Sequence, residues 1–303
     1  MTGLRPMGYK VLGGISRAAT GLGIAAGGLR VLAYHDVPSD AALHAQLEWL
    51  QRHFDILTLD TALELHGESR ELLRSALVTF DDADPSVVEQ GLPVLDALGI
   101  EAVLFVCPGV VDTTDPYWWH VVQIAVDHGI ELDGRPVGPS DVHRLKMVPD
   151  RERRAEVKRL TELIEETTSS PLRERQVTTE ELRSWASAGH AIGNHTWDHP
   201  MLDMSDPVEQ ARQIEEAHSW LEDRGLMSIP VFAYPNGNGS ADSRSVLDTL
   251  GYAGAMLFDH RIDQGGDRLG ISRLRVNGGD DPDVFVSKAS GLHPLIHRIA
   301  GRA

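Results

Sequence analysis

Cysteine is almost absent from this sequence. Among 303 residues there is one, Cys107, so no disulfide can close within the chain. It follows the apolar run Ala102-Val103-Leu104-Phe105-Val106 and reads as a small core residue rather than a nucleophile. Basic residues are also scarce, 28 Lys and Arg against 45 Asp and Glu, for a formal net charge of −17. A nucleic-acid partner requires clustered cations that displace counterions from phosphates, so none is expected. Long apolar runs are missing as well. The Ala/Gly-rich stretch 18–29 is too short and too mild to span a bilayer. With Arg5, Lys10 and Arg17 around it, the segment 1–29 is expected to be a mobile or loosely docked cytoplasmic helix; a peripheral membrane contact is the alternative.

What is present belongs to an ordinary globular protein, 42% hydrophobic and 24% charged, large enough for a sizeable core. Short apolar, β-branched runs recur at 30–34, 76–80, 102–106, 190–194, 231–234, 254–258 and 271–276, and each reads as a buried strand. Between them lie helically spaced segments at 41–53, 85–98, 179–188, 207–224 and 243–250, several preceded by Ser, Thr or Asp in capping position. This alternation predicts a mostly parallel sheet, open or closed into a barrel, with its active site at the carboxyl ends of the strands. Seven strands suit a distorted, incomplete barrel. The rhythm breaks at 127–175, where a turn-rich part, Asp133-Gly134-Arg135-Pro136, precedes a charged helix at 150–168; this stretch reads as an insertion over the barrel.

Two clusters carry chemistry. Leu77-Val78-Thr79-Phe80-Asp81-Asp82 sets adjacent carboxylates at the end of a buried strand. Neighbouring residues point in different directions there, so one carboxylate can ligate a cation while the other reaches a water. Taken alone the pair is as readily a helix cap ahead of Pro85. Gly193-Asn194-His195-Thr196-Trp197-Asp198-His199-Pro200 also follows a strand, and its two imidazoles can converge on one cation. Fourteen histidines make a chance His-x3-His pair unsurprising, but its placement matches that of the Asp pair. Two His and one Asp form a three-ligand site suited to zinc, iron, cobalt or nickel rather than magnesium or calcium. At the next strand end, Phe232-Ala233-Tyr234-Pro235-Asn236-Gly237 forms a turn that can aim N–H groups at an oxyanion.

These elements, together with the opening strand Leu32-Ala33-Tyr34-His35-Asp36-Val37, resemble the polysaccharide deacetylase family, or NodB-homology domain, over about 31–276. The resemblance implies a distorted (β/α)7 barrel with a helical insertion, spanning 30–303 here, that removes acetyl groups from N-acetylglucosamine-type sugars, whether polymeric, oligomeric or lipid-linked. It implies Asp81 as general base and Asp82, His195 and His199 as ligands of a divalent metal, commonly zinc, with cobalt and nickel also suited. It further implies the turn Tyr234, Pro235, Asn236 and Gly237 as part of the oxyanion site.

Three departures stand out. Ala83 occupies a position where the family usually has Gly, which limits the backbone if a positive φ is needed. Ala233 stands where many members place an Arg that orients the base, and Arg273 is expected to supply that charge. The usual late catalytic His has no clear counterpart; His260 and His293 are the candidates, and each reads better as a residue without a role. Trp197 is expected to shield the site or touch substrate, His35 to reach its rim, Asp198 to accept from a ligand imidazole, and Tyr117-Trp118-Trp119-His120 to supply an aromatic wall or core packing. Two rival readings remain: a sugar-binding pseudoenzyme, motivated by Ala83 and the missing His, and a two-His-one-carboxylate iron oxygenase, which would sit on a β-roll.

Overall fold

The computed structural model describes residues 6–21, 27–67 and 74–292. The chain begins with α1 (Pro6–Gly21), β1 (Leu29–Tyr34), α2 (Asp40–His53), β2 (Asp55–Ile56), α3 (Leu59–Gly67) and β3 (Ser75–Phe80). A π turn (Val87–Gly91) then leads into α4 (Leu92–Leu98), followed by β4 (Ala102–Val106) and α5 (Trp118–Asp127). A small hairpin, β5 (Glu131–Leu132) and β6 (Arg135–Pro136), precedes α6 (Ser140–Lys146), α7 (Asp150–Thr168) and α8 (Thr179–Ser187). The rest runs β7 (Ala191–Asn194), α9 (Pro207–Asp223), β8 (Val231–Ala233), α10 (Ala241–Thr249), β9 (Gly254–Met256), β10 (Arg273–Arg275) and α11 (Pro282–Ala289).

Seven strands lie in the order β10-β1-β3-β4-β7-β8-β9, all parallel, and the short β2 pairs with the start of β3. A parallel bridge between Met256 and Ile271, just ahead of β10, nearly closes the ring. The result is a distorted seven-stranded α/β barrel, and its strands are the seven apolar runs of the sequence.

Side-chain alternation along each strand separates two cores. One parity points inward, where Leu29, Val31, Leu77, Val103, Phe105, Val231, Ala233, Met256 and Ile271 form one cluster, joined by Leu59 and Ala62 of α3. The other packs on the surrounding helices, with Leu32, Val78, Leu104 and Ile192 meeting Leu47, Leu95 and Trp185. Gly193 is required inside: a Cβ there would lie 2.5 Å from the Phe105 ring, which fills the space instead. The same inward parity brings Thr79 of β3 and Asp81 just past its end, His195 just past β7, and Arg273 of β10 together in the barrel.

Helix boundaries have local causes. Ser39 Oγ accepts the Ala42 N–H and Asp206 accepts the Glu209 N–H, while Thr178 and Glu181 form a reciprocal capping box. The helix expected over 85–98 is continuous but carries a π-bulge at Val87–Gly91. Pro93 lacks the N–H that a regular ladder needs, and Leu92 N–H bonds Val87 O in a π turn before α4 starts. Asp133 and Gly134, both at positive φ, form the two-residue turn of the β5–β6 hairpin. Helices α5, α6 and α7 gather a cluster of their own around Trp118, Val122, Leu145, Leu160 and Ile164. Among the described residues no helix is long and apolar enough to cross a membrane. Helix α1 packs on α11 and leaves Val11 and Ile15 exposed; part of the 18–29 stretch lies outside the described residues.

Candidate active site and metal centre

Past the end of β3 the backbone turns sharply. Asp82 and Ala83 take φ values of +65° and +53°, so the chain does enter the left-handed region at Ala83, with a methyl group where glycine would be unstrained. That turn sends the two carboxylates different ways. Asp81 stays inside the barrel, 2% exposed, and its two oxygens accept from Arg273 Nη1 and Nη2 at 2.7 and 2.8 Å. Arg273 is itself fully buried and further anchored by its Nε, which donates to Leu257 O at 2.7 Å. Burial pushes the Asp81 carboxyl up, but the Arg273 guanidinium and His195 outweigh it and hold it below its ordinary value.

Asp82 faces the two histidines. Its Oδ1 lies 3.4 Å from His195 Nε2 and 3.5 Å from His199 Nε2, and one donor atom from each residue falls within 4.8 Å of the others. The Ala233 carbonyl accepts from His195 Nδ1 at 2.7 Å, which leaves the Nε2 lone pair directed at Asp82. An imidazole lone pair against a carboxylate oxygen is a repulsive arrangement that a shared cation resolves. Asp82 Oδ1 and His199 Nδ1 are buried without a hydrogen-bond partner. Burial drives His199 down to about 3, which keeps it neutral, while His195 is held above its usual value against burial by Asp81 and Asp82. For Asp82 the pull of both imidazoles outweighs burial and lowers its carboxyl. The donor set and the unsatisfied Asp82 oxygen fit a divalent metal of the zinc type.

The loop that presents the histidines is bonded at nearly every residue. Thr196 N–H donates to Asn194 Oδ1 at 2.7 Å, His199 N–H to Thr196 Oγ1 at 3.1 Å and Gly109 N–H to Trp197 O at 2.7 Å. Asp198 does not accept from an imidazole, as the sequence suggested. Its carboxylate turns outward to Arg154 and Gln213, drawn by a bidentate guanidinium.

Beside Asp82 opens a cavity of about 550 Å³, lined among others by His35, Asp84, Tyr117, Trp119, His120 and Arg275. His35 thus reaches the rim. Tyr117 and Trp119 stack at 4.4 Å, Trp119 meets His199 edge-on at 4.6 Å, and Tyr117 Oη donates to Asp82 O at 2.7 Å. Trp118 packs in the α5–α7 cluster with Arg153 over its ring. Trp119 rather than Trp197 lines the cavity; Trp197 lies against Gly109.

The Tyr234-Pro235-Asn236-Gly237 turn is formed, but the Tyr234 N–H is spent on Met256 O and the Gly237 N–H on Tyr234 O. Pro235 has none, and none of the four residues lines the cavity beside Asp82. Asn236 Oδ1 accepts from Lys146, at the end of α6, at 2.6 Å. His260 is exposed in a loop, and His293 lies outside the described residues. Arg154 and Lys146 escaped the sequence reading because nothing in their local pattern marks them; Trp119 could be found as one of several adjacent aromatics.

A nearly closed parallel barrel with two histidines and a carboxylate converging at its carboxyl mouth, next to a buried Asp-Arg pair, defines the class of barrel to which this chain belongs. The sequence matches the polysaccharide deacetylase family over residues 71–255, and the chain is a member of that family. Three solved structures share the fold. IcaB from Ammonifex degensii is 20% identical, with a TM-score of 0.60 over 88% of this chain and 98% of that one. The Streptococcus pyogenes deacetylase PplD, in complex with acetate, is 14% identical, with a TM-score of 0.59 over 88% and 99%. A de-N-acetylase from Aggregatibacter actinomycetemcomitans is 14% identical, with a TM-score of 0.57 over 86% and 99%. No curated protein matches the chain by sequence.

Proposed function

We propose that this chain is a metal-dependent hydrolase that removes the acetyl group from an N-acetylated sugar. The observation that carries the reading is the division of labour between adjacent carboxylates: Asp82 shares one point in space with two imidazoles, while Asp81 is held ionised by Arg273. Family membership and the names of the structural neighbours, a deacetylase with acetate and a de-N-acetylase, support acetyl removal. Asp82, His195 and His199 would hold the cation, zinc best, with cobalt or nickel also fitting. When bound, such a cation supplies Lewis-acid polarisation of the acetamide carbonyl and acidifies a nearby water.

The protein groups do the rest. Asp81 enters the reaction as a carboxylate and takes the proton of the attacking water, with Arg273 fixing its plane. Tyr117 and Trp119 give a sugar ring an apolar face at the cavity wall. Cleavage of the amide C–N bond, with the proton held on Asp81 passed to the departing nitrogen, releases acetate and leaves a free amine on the sugar. The parallel barrel, which is no β-roll, argues against the iron-oxygenase reading.

The test is acetate release from N-acetylglucosamine oligomers by zinc-loaded protein and by Asp81→Asn. Release by the wild type and its loss in the variant are expected. Equal release by both would sink Asp81 as base, and metal-dependent binding of the oligomers without release by either would favour the pseudoenzyme reading that the strained Ala83 keeps in play.

A further inference from the structure

The backbone of the histidine loop is strained. Thr196 and His199 lie in the left-handed region at φ +70° and +60°, and neither is glycine. Conformations of that kind persist where the surroundings over-determine them. Part of the restraint is internal, through Asn194 and Thr196 Oγ1. The outer part of the loop, at Asp198, is gripped from α7, which follows β7 neither in sequence nor in the sheet.

Arg154 Nη1 and Nη2 donate to Asp198 Oδ2 and Oδ1, both at 2.7 Å. Its Nε donates to Asp150 Oδ2 at 2.6 Å, so the guanidinium is oriented before it meets the loop. From the opposite side the buried Gln213 donates to Asp198 Oδ1 at 2.7 Å and accepts the Asp198 N–H at 3.1 Å. An isolated ion pair at this exposure, 40% for Arg154 and 27% for Asp198, ordinarily contributes little. A bidentate pair whose cation is already fixed and whose anion is bonded to a buried amide is the exception.

We propose that Arg154 is a positioning residue: by clamping Asp198 it fixes the backbone between His195 and His199 and so sets where both imidazoles point relative to Asp82. The proposal rests on reading Asp82, His195 and His199 as a metal site. Two neighbouring contacts act in the same direction. Tyr117 Oη ties down the Asp82 carbonyl, and Trp119, on α5, packs edge-on against His199. The α5–α7 region is thus part of the scaffold of the site, not only a cover over the barrel.

The test uses the full chain and three variants: Arg154→Ala, Arg154→Lys and, as a control on the same helix, Arg159→Ala, which loses an ion pair to Asp133 on the hairpin. Amide hydrogen exchange at Thr196, Trp197, Asp198 and His199 is measured on metal-free protein. The Zn²⁺ dissociation constant is measured by competition with a chromogenic chelator, and the Co²⁺ absorption spectrum reports ligand geometry. Arg154→Ala is expected to speed exchange at these amides about tenfold and to weaken Zn²⁺ binding about 10–100-fold, as loss of a partner that orients metal ligands does. Lysine should restore part of each, because it keeps the charge without the fork, and Arg159→Ala should change neither. Should Arg154→Ala not fold, Arg154→Lys carries the comparison with the wild type. Unchanged exchange at these amides in the Arg154 variants, or an equal change in Arg159→Ala, overturns the proposal. Failure of the wild type to take up Zn²⁺ would remove the metal reading instead, and the exchange comparison would still decide the clamp.

Discussion

Arg273 grips Asp81 from 192 positions away, both groups sealed inside the barrel and joined by two hydrogen bonds of 2.7 and 2.8 Å. Removing one partner of such a pair strands a buried charge. Arg273→Ala is therefore expected to cost about 3–5 kcal/mol of stability, far more than a surface pair would. Arg273→Lys keeps the charge but not the fork, and should recover only part of the loss. Denaturant unfolding of the three proteins checks this, and equal midpoints would mean that the pair contributes nothing net.

The neighbouring carboxylates should separate cleanly by experiment. Asp82→Ala is expected to abolish stoichiometric Zn²⁺ uptake, whereas Asp81→Asn keeps the metal and loses about 10²–10⁴-fold in hydrolysis, the usual contribution of a general base. Metal content by elemental analysis, set beside acetate release, distinguishes the two. If Asp81→Asn loses the metal and Asp82→Ala retains it, the assigned roles are reversed.

How far this site could be read without a structure depends on the kind of interaction. Most strands were legible because they are buried on both faces, which writes an apolar run such as Ala102-Val103-Leu104-Phe105-Val106 into the chain; β10, Arg-Leu-Arg with Arg275 exposed, is the exception. Asp81, Asp82, His195 and His199 were legible because strand ends are where such a barrel displays its chemistry. Arg273 could be suspected from its place on the last strand, where it shares the inward parity of Ile271. Arg154 and Lys146 could not. Their partners, Asp198 and Asn236, lie 44 and 90 positions away, and nothing periodic in α6 or α7 announces them. The outward turn of Asp198 was hidden for the same reason. The π turn before Pro93 is a backbone compromise that apolar spacing does not record.

Ala83 offers a test of how much strain the site tolerates. A left-handed alanine costs roughly 1–2 kcal/mol relative to glycine. Against that, glycine adds about 0.4–1 kcal/mol of chain entropy to the unfolded state, and the buried methyl is worth about 0.8 kcal/mol. The terms nearly cancel, so Ala83→Gly is expected to shift stability by less than about 1 kcal/mol and to leave Zn²⁺ affinity unchanged. A large gain in hydrolysis in the glycine variant would show instead that the methyl holds Asp82 off its best position, and that the chain is an impaired member of its family.

Gly109 should be far less forgiving. A Cβ there would sit 2.7 Å from both the carbonyl oxygen and the indole Nε1 of Trp197. The first of these is backbone of the histidine loop and cannot swing aside. Gly109→Ala is expected to displace that loop, break the Gly109-to-Trp197 hydrogen bond and weaken Zn²⁺ binding at least tenfold, an effect in the range seen when the supports of a metal ligand are lost. Chelator competition measures it, and an unchanged dissociation constant would mean that the loop adjusts without moving its imidazoles.

Asp141 sets the acid limit of the α5–α7 region. Its buried carboxylate accepts from Arg135 at 2.7 and 2.9 Å, from Arg144 Nε at 2.8 Å and from the Gly138 N–H at 2.9 Å. These donors, Arg135 first among them, overcome burial and hold the carboxyl well below its ordinary value. A folded-state value that is depressed gives stability present above the unfolded value, near pH 4, and lost as the pH falls below it. Asp141→Asn cannot make this contribution. Because Arg135 and Arg144 are 53% and 40% exposed, its cost at pH 7 is expected to be modest, about 1–2 kcal/mol. The decisive quantity is the gap between wild type and variant. It should be constant from pH 7 to about pH 5 and shrink steadily toward pH 2, as Asp141 of the unfolded wild-type chain takes up a proton that its partners still keep off in the folded chain. Urea unfolding followed by tryptophan fluorescence measures the gap, and one that stays constant down to pH 2 would show that these bonds hold Asp141 no lower in the folded chain than in the unfolded one.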